Sequence, residues 1–188
     1  MQTRALLAAL AVCAALSAEA PAQETAGRSR ALESYARTFG TTAEEAERRQ
    51  HLRREIVGVR HAMERGEPDS FAGLTIEHSP AYRVVVKFTS NPEATLRRYT
   101  DNPLFVAQAA SVPMRDLLAA QTPVHERLKS HGIRSASAPD FERNDLQVAV
   151  QDLPLAERLR ASGALKLPPF VRLVQGHWPA DYVDPPGY

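Results

Sequence analysis

The stretch "FAGLTIEHSPAYRVVVKFT" (residues 71–89) is the most strongly patterned part of the chain, and its reading decides the fold. Leu74 and Ile76 alternate with Thr75 and Glu77, and Ser79-Pro80-Ala81 turns the chain. Tyr82, Val84, Val86 and Phe88 then return as one face, with Arg83, Val85 and Lys87 on the other. β-Branched and aromatic residues at period two predict two strands. Pro80 has no N–H to give a ladder, so it belongs at the corner of a hairpin. The hairpin sets Glu77, His78 and Ser79 in a row, the residue types of an acid, a base and a nucleophile. Neighbours on a strand point to opposite faces, so they cannot serve one another as base and nucleophile. The row reads as a hairpin corner.

Two helices are expected before it. "SRALESYARTFG" places Leu32, Tyr35, Ala36 and Phe39 at helical spacing and stops at Gly40. A second helix opens with Thr41 and Glu44 in capping-box spacing, and its apolar stripe is Leu52, Ile56, Val59 and Met63. Gly66 and Pro68 end it. His51 and His61 lie about 280° apart around this helix, which excludes a metal pair.

After the hairpin, Asn91 is a candidate N-cap with Pro92 at the first helical position, and Ala94, Leu96 and Tyr99 form the stripe. "PLFVAQAASV" reads as a buried strand. The second half repeats this grammar. A helix from Met114 to Ser130 uses Leu117, Leu118, Val124 and Leu128, with a kink or break expected at Pro123. A loop then leads to "DFERNDLQVAVQD", in which Leu146, Val148 and Val150 alternate with Gln147, Ala149 and Gln151. "LPLAERLRASG" is a short helix stopped by Gly163, and "PFVRLVQG" is a last strand. The closing "HWPADYVDPPGY", rich in proline and aromatics, cannot be regular.

Candidate chemistry is sparse. His125 and His131 flank the end of a helix and read as a surface pair. Asp140, Glu142 and Asp145 suggest an acidic metal loop, but Asn144-Asp145 before an alternating strand is turn chemistry. No G-x-S-x-G elbow, glycine-rich phosphate loop, H-E-x-x-H helix or EF-hand loop occurs. No catalytic residue, cofactor or metal is expected.

The first residues read as a secretory signal: Arg4, an apolar run from Ala5 to Leu16, then Ala20 and Ala22 in an A-x-A arrangement with cleavage before Gln23. The run is too short to span a membrane. Cys13 lies inside it, so the mature chain has no thiol and no disulfide. The expected location is the periplasm or the medium. With 23 basic against 22 acidic residues, composition gives no case for nucleic acid or anionic lipid.

The order of parts is similar to a known family. "YARTFGTTAEEAERRQHLRREIVGV", "EPDSFAGLTIEHSPAYRVVVKFT", "DFERNDLQVAV" and the closing helix and strand resemble the pro-region of secreted chymotrypsin-like serine proteases, the α-lytic protease and streptogrisin group and its trypsin-like relatives. The likeness runs from Ser34 to Val174, with Thr75 where relatives usually carry Trp, and it is strongest in F-A-G-x-x-I-E-H. Residues 140–150 are similar to the D-x-x-x-N-x-V-x-V entry of the same modules. In that family a protease domain follows, whereas this chain ends at Tyr188. The resemblance implies a pro-region-like chaperone or inhibitor whose partner is a secreted chymotrypsin-like serine protease.

The expected fold is α+β: two N-terminal helices followed by two small antiparallel-sheet/helix modules, or alternatively one ferredoxin-like sheet. The expected divisions are a signal peptide at 1–22, a helical segment at 23–67, modules at 68–113 and 114–176, and an extended tail at 177–188. In that tail Trp178, Tyr182 and Val183 are the candidate partner-binding residues, since aromatic side chains bury much area with few rotatable bonds. Two other readings are an exported interaction module with no protease partner and an enzyme whose site is assembled from scattered residues.

Overall fold

The computed structural model describes residues 19–177, and the chain divides into two compact units between Val57 and Gly58. Residues 1–18, which carry most of the expected signal, lie outside the described residues. Helix α1 (Glu19–Phe39) begins ten residues before the expected Ser29, so the expected cleavage point before Gln23 falls inside it. Gly40, at φ +59, ends it, and the Tyr35 and Phe39 rings meet at a tilt, their centroids 4.6 Å apart. The amide of Thr41 turns back to the Ala36 carbonyl at 2.9 Å, which makes Thr41 the exit of α1. Helix α2 (Ala43–Gly66) is therefore capped one residue later than its capping-box reading: Thr42 Oγ1 accepts from the Glu45 amide at 3.1 Å. Glu45 in turn receives Arg48 and Arg49 at 2.6 and 2.7 Å. Hydrogen bonds from these two guanidiniums, Arg48 first, lower its carboxyl to about 2.

The second unit is built from two modules with one order of elements. Helix α2 leads to β1 (Phe71–Glu77), β2 (Arg83–Phe88), α3 (Pro92–Leu96) and β3 (Phe105–Ala109). Helix α4 (Met114–Ser130) leads to β4 (Ser135–Asp140), β5 (Asp145–Val150), α5 (Leu153–Ala161) and β6 (Val171–Gln175). The fold is α+β, with two separate three-stranded sheets, β1-β2-β3 and β4-β5-β6, rather than one ferredoxin-like sheet. Neither sheet is wholly antiparallel, which corrects the expected antiparallel-sheet modules. Each hairpin is antiparallel, but a helical crossover returns the third strand parallel to the second.

The hydrogen bonds of the two sheets correspond. Val84 N–H reaches Leu104 O as Leu146 N–H reaches Phe170 O, and Ala110 N–H reaches Phe88 O as Gly176 N–H reaches Val150 O. Thr89 pairs back to Ser70 as Gln151 does to Arg134. Val84 faces Phe105 as Leu146 faces Val171.

Several expectations change here. The segment read as a loop before β5 is strand β4, "SASAPD", whose serines, alanines and proline carry little β propensity. β3 is not a buried strand: only Phe105 is buried, because β3 lies at a sheet edge. Asn91 sits at φ 44 and makes no side-chain cap, and α3 ends at Leu96, so Tyr99 lies beyond it. Helix α4 runs unbroken through Pro123. Pro123 and Ala119 are both exposed, so the carbonyl that proline leaves without a donor faces water. Leu118, expected in the core stripe, is 44% exposed.

Core packing separates the two central strands. In β5 only one face is buried, through Leu146, Val148 and Val150 against Leu117, Val124 and Leu128 of α4. In β2 both faces are: Val84, Val86 and Phe88 on one side, Val85 and Lys87 on the other. The β4–β5 turn covers that second face. Gly73 and Lys87 are cross-strand partners and share it. A Cβ on Gly73, whose φ is +121, would meet the Phe141 ring at 2.7 Å, and Lys87 Nζ donates to the Glu142 carbonyl. Phe71 and Phe88 meet edge to face at 5.9 Å on the opposite side. Phe88→Ala is expected to cost about 3–5 kcal/mol, the range for a fully buried aromatic. Urea unfolding measures it, and an unchanged midpoint would mean that Phe88 contributes nothing to this core.

Candidate functional site: the edge strand of the second sheet

Trp178, Tyr182 and Val183 lie outside the described residues, which end at His177 just after β6. The other sequence candidates are placed. Glu77 pairs with Arg83 across the hairpin, His78 packs edge-on against Tyr82 at 5.6 Å, and Ser79 is exposed in the turn. His51 and His61 are exposed on α2. Asp140 accepts from the Arg143 amide at 2.9 Å, and Asp140 and Asp145 both hold Arg172, at 3.0 and 2.7 Å. These acids shape a turn and bind a guanidinium. Among the described residues no group of three histidine, cysteine or acidic side chains is placed to hold a metal.

His125 and His131 do not form the expected surface pair. His131 caps the exposed end of α4, while His125 turns toward β4. The placement follows from two periodicities. Gln121 and His125 are four apart and share the flank of α4, beside its buried stripe of Leu117, Val124 and Leu128. Ser135 and Ser137 are two apart and share one face of β4. His125 Nδ1 lies 2.6 Å from Ser135 Oγ, and Nε2 lies 2.9 Å from Ser137 Oγ. Ser137 Oγ donates to Gln121 Oε1 at 3.2 Å. Burial of the ring holds the His125 pKa below its ordinary value, and the charge of Glu126 offsets this in part.

Sequence reasoning missed this cluster because β4 read as a loop. The signal that finds it is the repeated order of elements: a strand must precede β5 as β1 precedes β2.

β4 is an edge strand with a defined polarity. Gln151 N–H bonds to Arg134 O at 3.0 Å, and Ser135 stands opposite Val150. Antiparallel pairs alternate between bonded and non-bonded, so Ser135, Ser137 and Pro139 direct their backbone groups away from β5. Pro139 therefore sits where a missing N–H removes no ladder bond. The equivalent edge, β1, is interrupted by a bulge between Phe71 and Gly73, a device that blunts pairing. β4 has a continuous register over all six residues. Its outer face is small and flat, with Ala136 and Ala138 exposed and Ala149 half-buried.

Comparison with protein-family models gives no match, and comparison with curated proteins gives none either.

The lowered pKa of His125 has a consequence for stability. An unfolded histidine titrates near 6.5. Between the folded and unfolded values the unfolded chain binds more protons, so stability rises with pH there. The contribution is complete above about pH 6.5 and is lost as pH falls through the folded value. The Glu45 carboxyl acts in a separate window, from its ordinary 4.5 down to about 2. Urea unfolding from pH 7.5 to 5 is expected to show a decline that His125→Gln reduces. Identical profiles for the two proteins would remove His125 as the cause.

Proposed function

We propose that this chain is an exported pro-region-like protein that binds a secreted chymotrypsin-like serine protease, as a folding chaperone or an inhibitor. The observation that carries the reading is the β4 edge. It is a six-residue strand in continuous register, with the outward backbone amides of Ser135 and Ser137 and the carbonyls of Ser135, Ser137 and Pro139 available to an added strand. The tandem modules are consistent with the pro-region resemblance, which supplies the class of partner. In this reading an edge strand of the protease extends the β4-β5-β6 sheet. The segment after β6 enters the substrate cleft through Trp178, Tyr182 and Val183, and Pro185-Pro186 deny the protease an amide proton beyond Asp184.

The same edge would serve an exported interaction module with a different partner, and one titration separates the two. The chain from Gln23, a form ending at Gly176, and the variants Ser137→Pro and Ser137→Ala are titrated against chymotrypsin-like proteases. Inhibition by the longer chain is expected to weaken about tenfold or more in Ser137→Pro, which removes an outward amide, but not in Ser137→Ala, which keeps it. Equal inhibition by the full and shortened chains removes the tail from the mechanism. Absence of inhibition by any form contradicts the protease reading.

A further inference from the structure

The hydrogen-bond chain between α4 and β4 has the parts of a nucleophile and its base. A hydroxyl carries one proton, and Ser137 gives its proton to Gln121 Oε1, so it accepts from His125 Nε2–H. That fixes the tautomer and leaves the Nδ1 lone pair facing the Ser135 hydroxyl at 2.6 Å. A base held in one tautomer by a partner on its far nitrogen is the logic of a catalytic triad. Here a neutral serine and glutamine stand where a carboxylate usually does. Burial keeps the imidazole neutral, and so able to accept a proton, at neutral pH. Ser135 also lies on the edge strand, with its own N–H directed outward, so a carbonyl oxygen bound to that N–H rests beside Oγ.

We propose that Ser135 is a nucleophile, with His125 as its general base, and that it takes the acyl group of a carboxylic ester. Oγ bonds to the carbonyl carbon as its proton passes to Nδ1, and the oxyanion faces the Ser135 N–H. The bond to the alcohol oxygen then breaks, the alcohol leaves with the proton from Nδ1, and the acyl group remains on Ser135. Water, deprotonated by Nδ1, attacks that ester; the acid is released and Oγ recovers its proton. Ser137 and Gln121 are positioning residues. None of this depends on the protease partner.

The full chain is incubated with p-nitrophenyl acetate and, separately, with a fluorophosphonate, whose P–F bond breaks and releases fluoride as Oγ–P forms. Adducts are located by peptide mass mapping. The expected adduct is on Ser135 and not on the exposed Ser162. Its rate rises with pH and levels at a lower pH than an unshifted histidine would give, since burial lowers the titration of the base. His125→Gln lowers the rate about a hundredfold or more. Ser137→Ala lowers it as well, and Ser137→Thr, which keeps the hydroxyl, restores it. Folded protein without an adduct on Ser135, or a rate independent of pH through the histidine range, overturns the proposal. Labelling of folded His125→Gln at the original rate does the same. If His125→Gln does not fold, the pH profile of the unaltered chain decides.

Discussion

The side chain of Asn144 ties the turn of one sheet to the chain leaving the other, and both modules depend on that tie. Its Oδ1 accepts from the amides of Ser111 and Val112, each at 2.8 Å, and its Nδ2 donates to the Val112 carbonyl at 2.8 Å. Asn144 itself sits at φ 57, a conformation that asparagine tolerates better than most residues. The same turn sets Phe141 over Gly73 and offers the Glu142 carbonyl to the buried amine of Lys87. Lys87 as a residue is 6% exposed, and an ammonium drawn into such a site without a partner would be strongly destabilising. A module this small buries too little surface to be more than marginally stable alone. The turn of the other module seals the second face of β2, while the second sheet keeps its own core against α4.

This tie also explains how an edge strand of weak propensity stays in place. β4 enters the fixed turn at Asp140, where the Arg143 amide and the Arg172 guanidinium hold the aspartate. Toward its start, His125 bonds both Ser135 and Ser137. Polar bonds from a helix flank and a turn do the work that apolar side chains do for β2. Among the described residues no strand pairs with the outer side of β4, where an incoming strand would add.

The α+β class and most elements were legible in the residues, because alternation over 71–89 and 145–150 and helical spacing over 114–130 are strong signals. Gly40, Gly163 and Asn144 also marked their stops and turns correctly, each at positive φ. What could not be read locally was set by distant contacts. The burial of Lys87 follows from a turn 55 residues away. β4 carries no periodic apolar signal, since its inward positions are serine, serine and proline. Its existence could be inferred only from the repeat. The His125 cluster was hidden for the same reason, and adjacency in sequence had drawn attention to His78 and Ser79 instead.

The central claim is that β4 is a fixed strand whose outer edge is open to a partner. Amide hydrogen exchange resolved to single residues tests it most directly. Ala136 and Ala138 bond to β5 in this register and are expected to exchange slowly, with Ser135 and Ser137, which alternate with them, exchanging fast. Adding an excess of a chymotrypsin-like protease is expected to protect Ser135 and Ser137. Uniformly fast exchange through residues 135–140, or no gain of protection at Ser135 and Ser137 in a complex shown to have formed, would contradict the account.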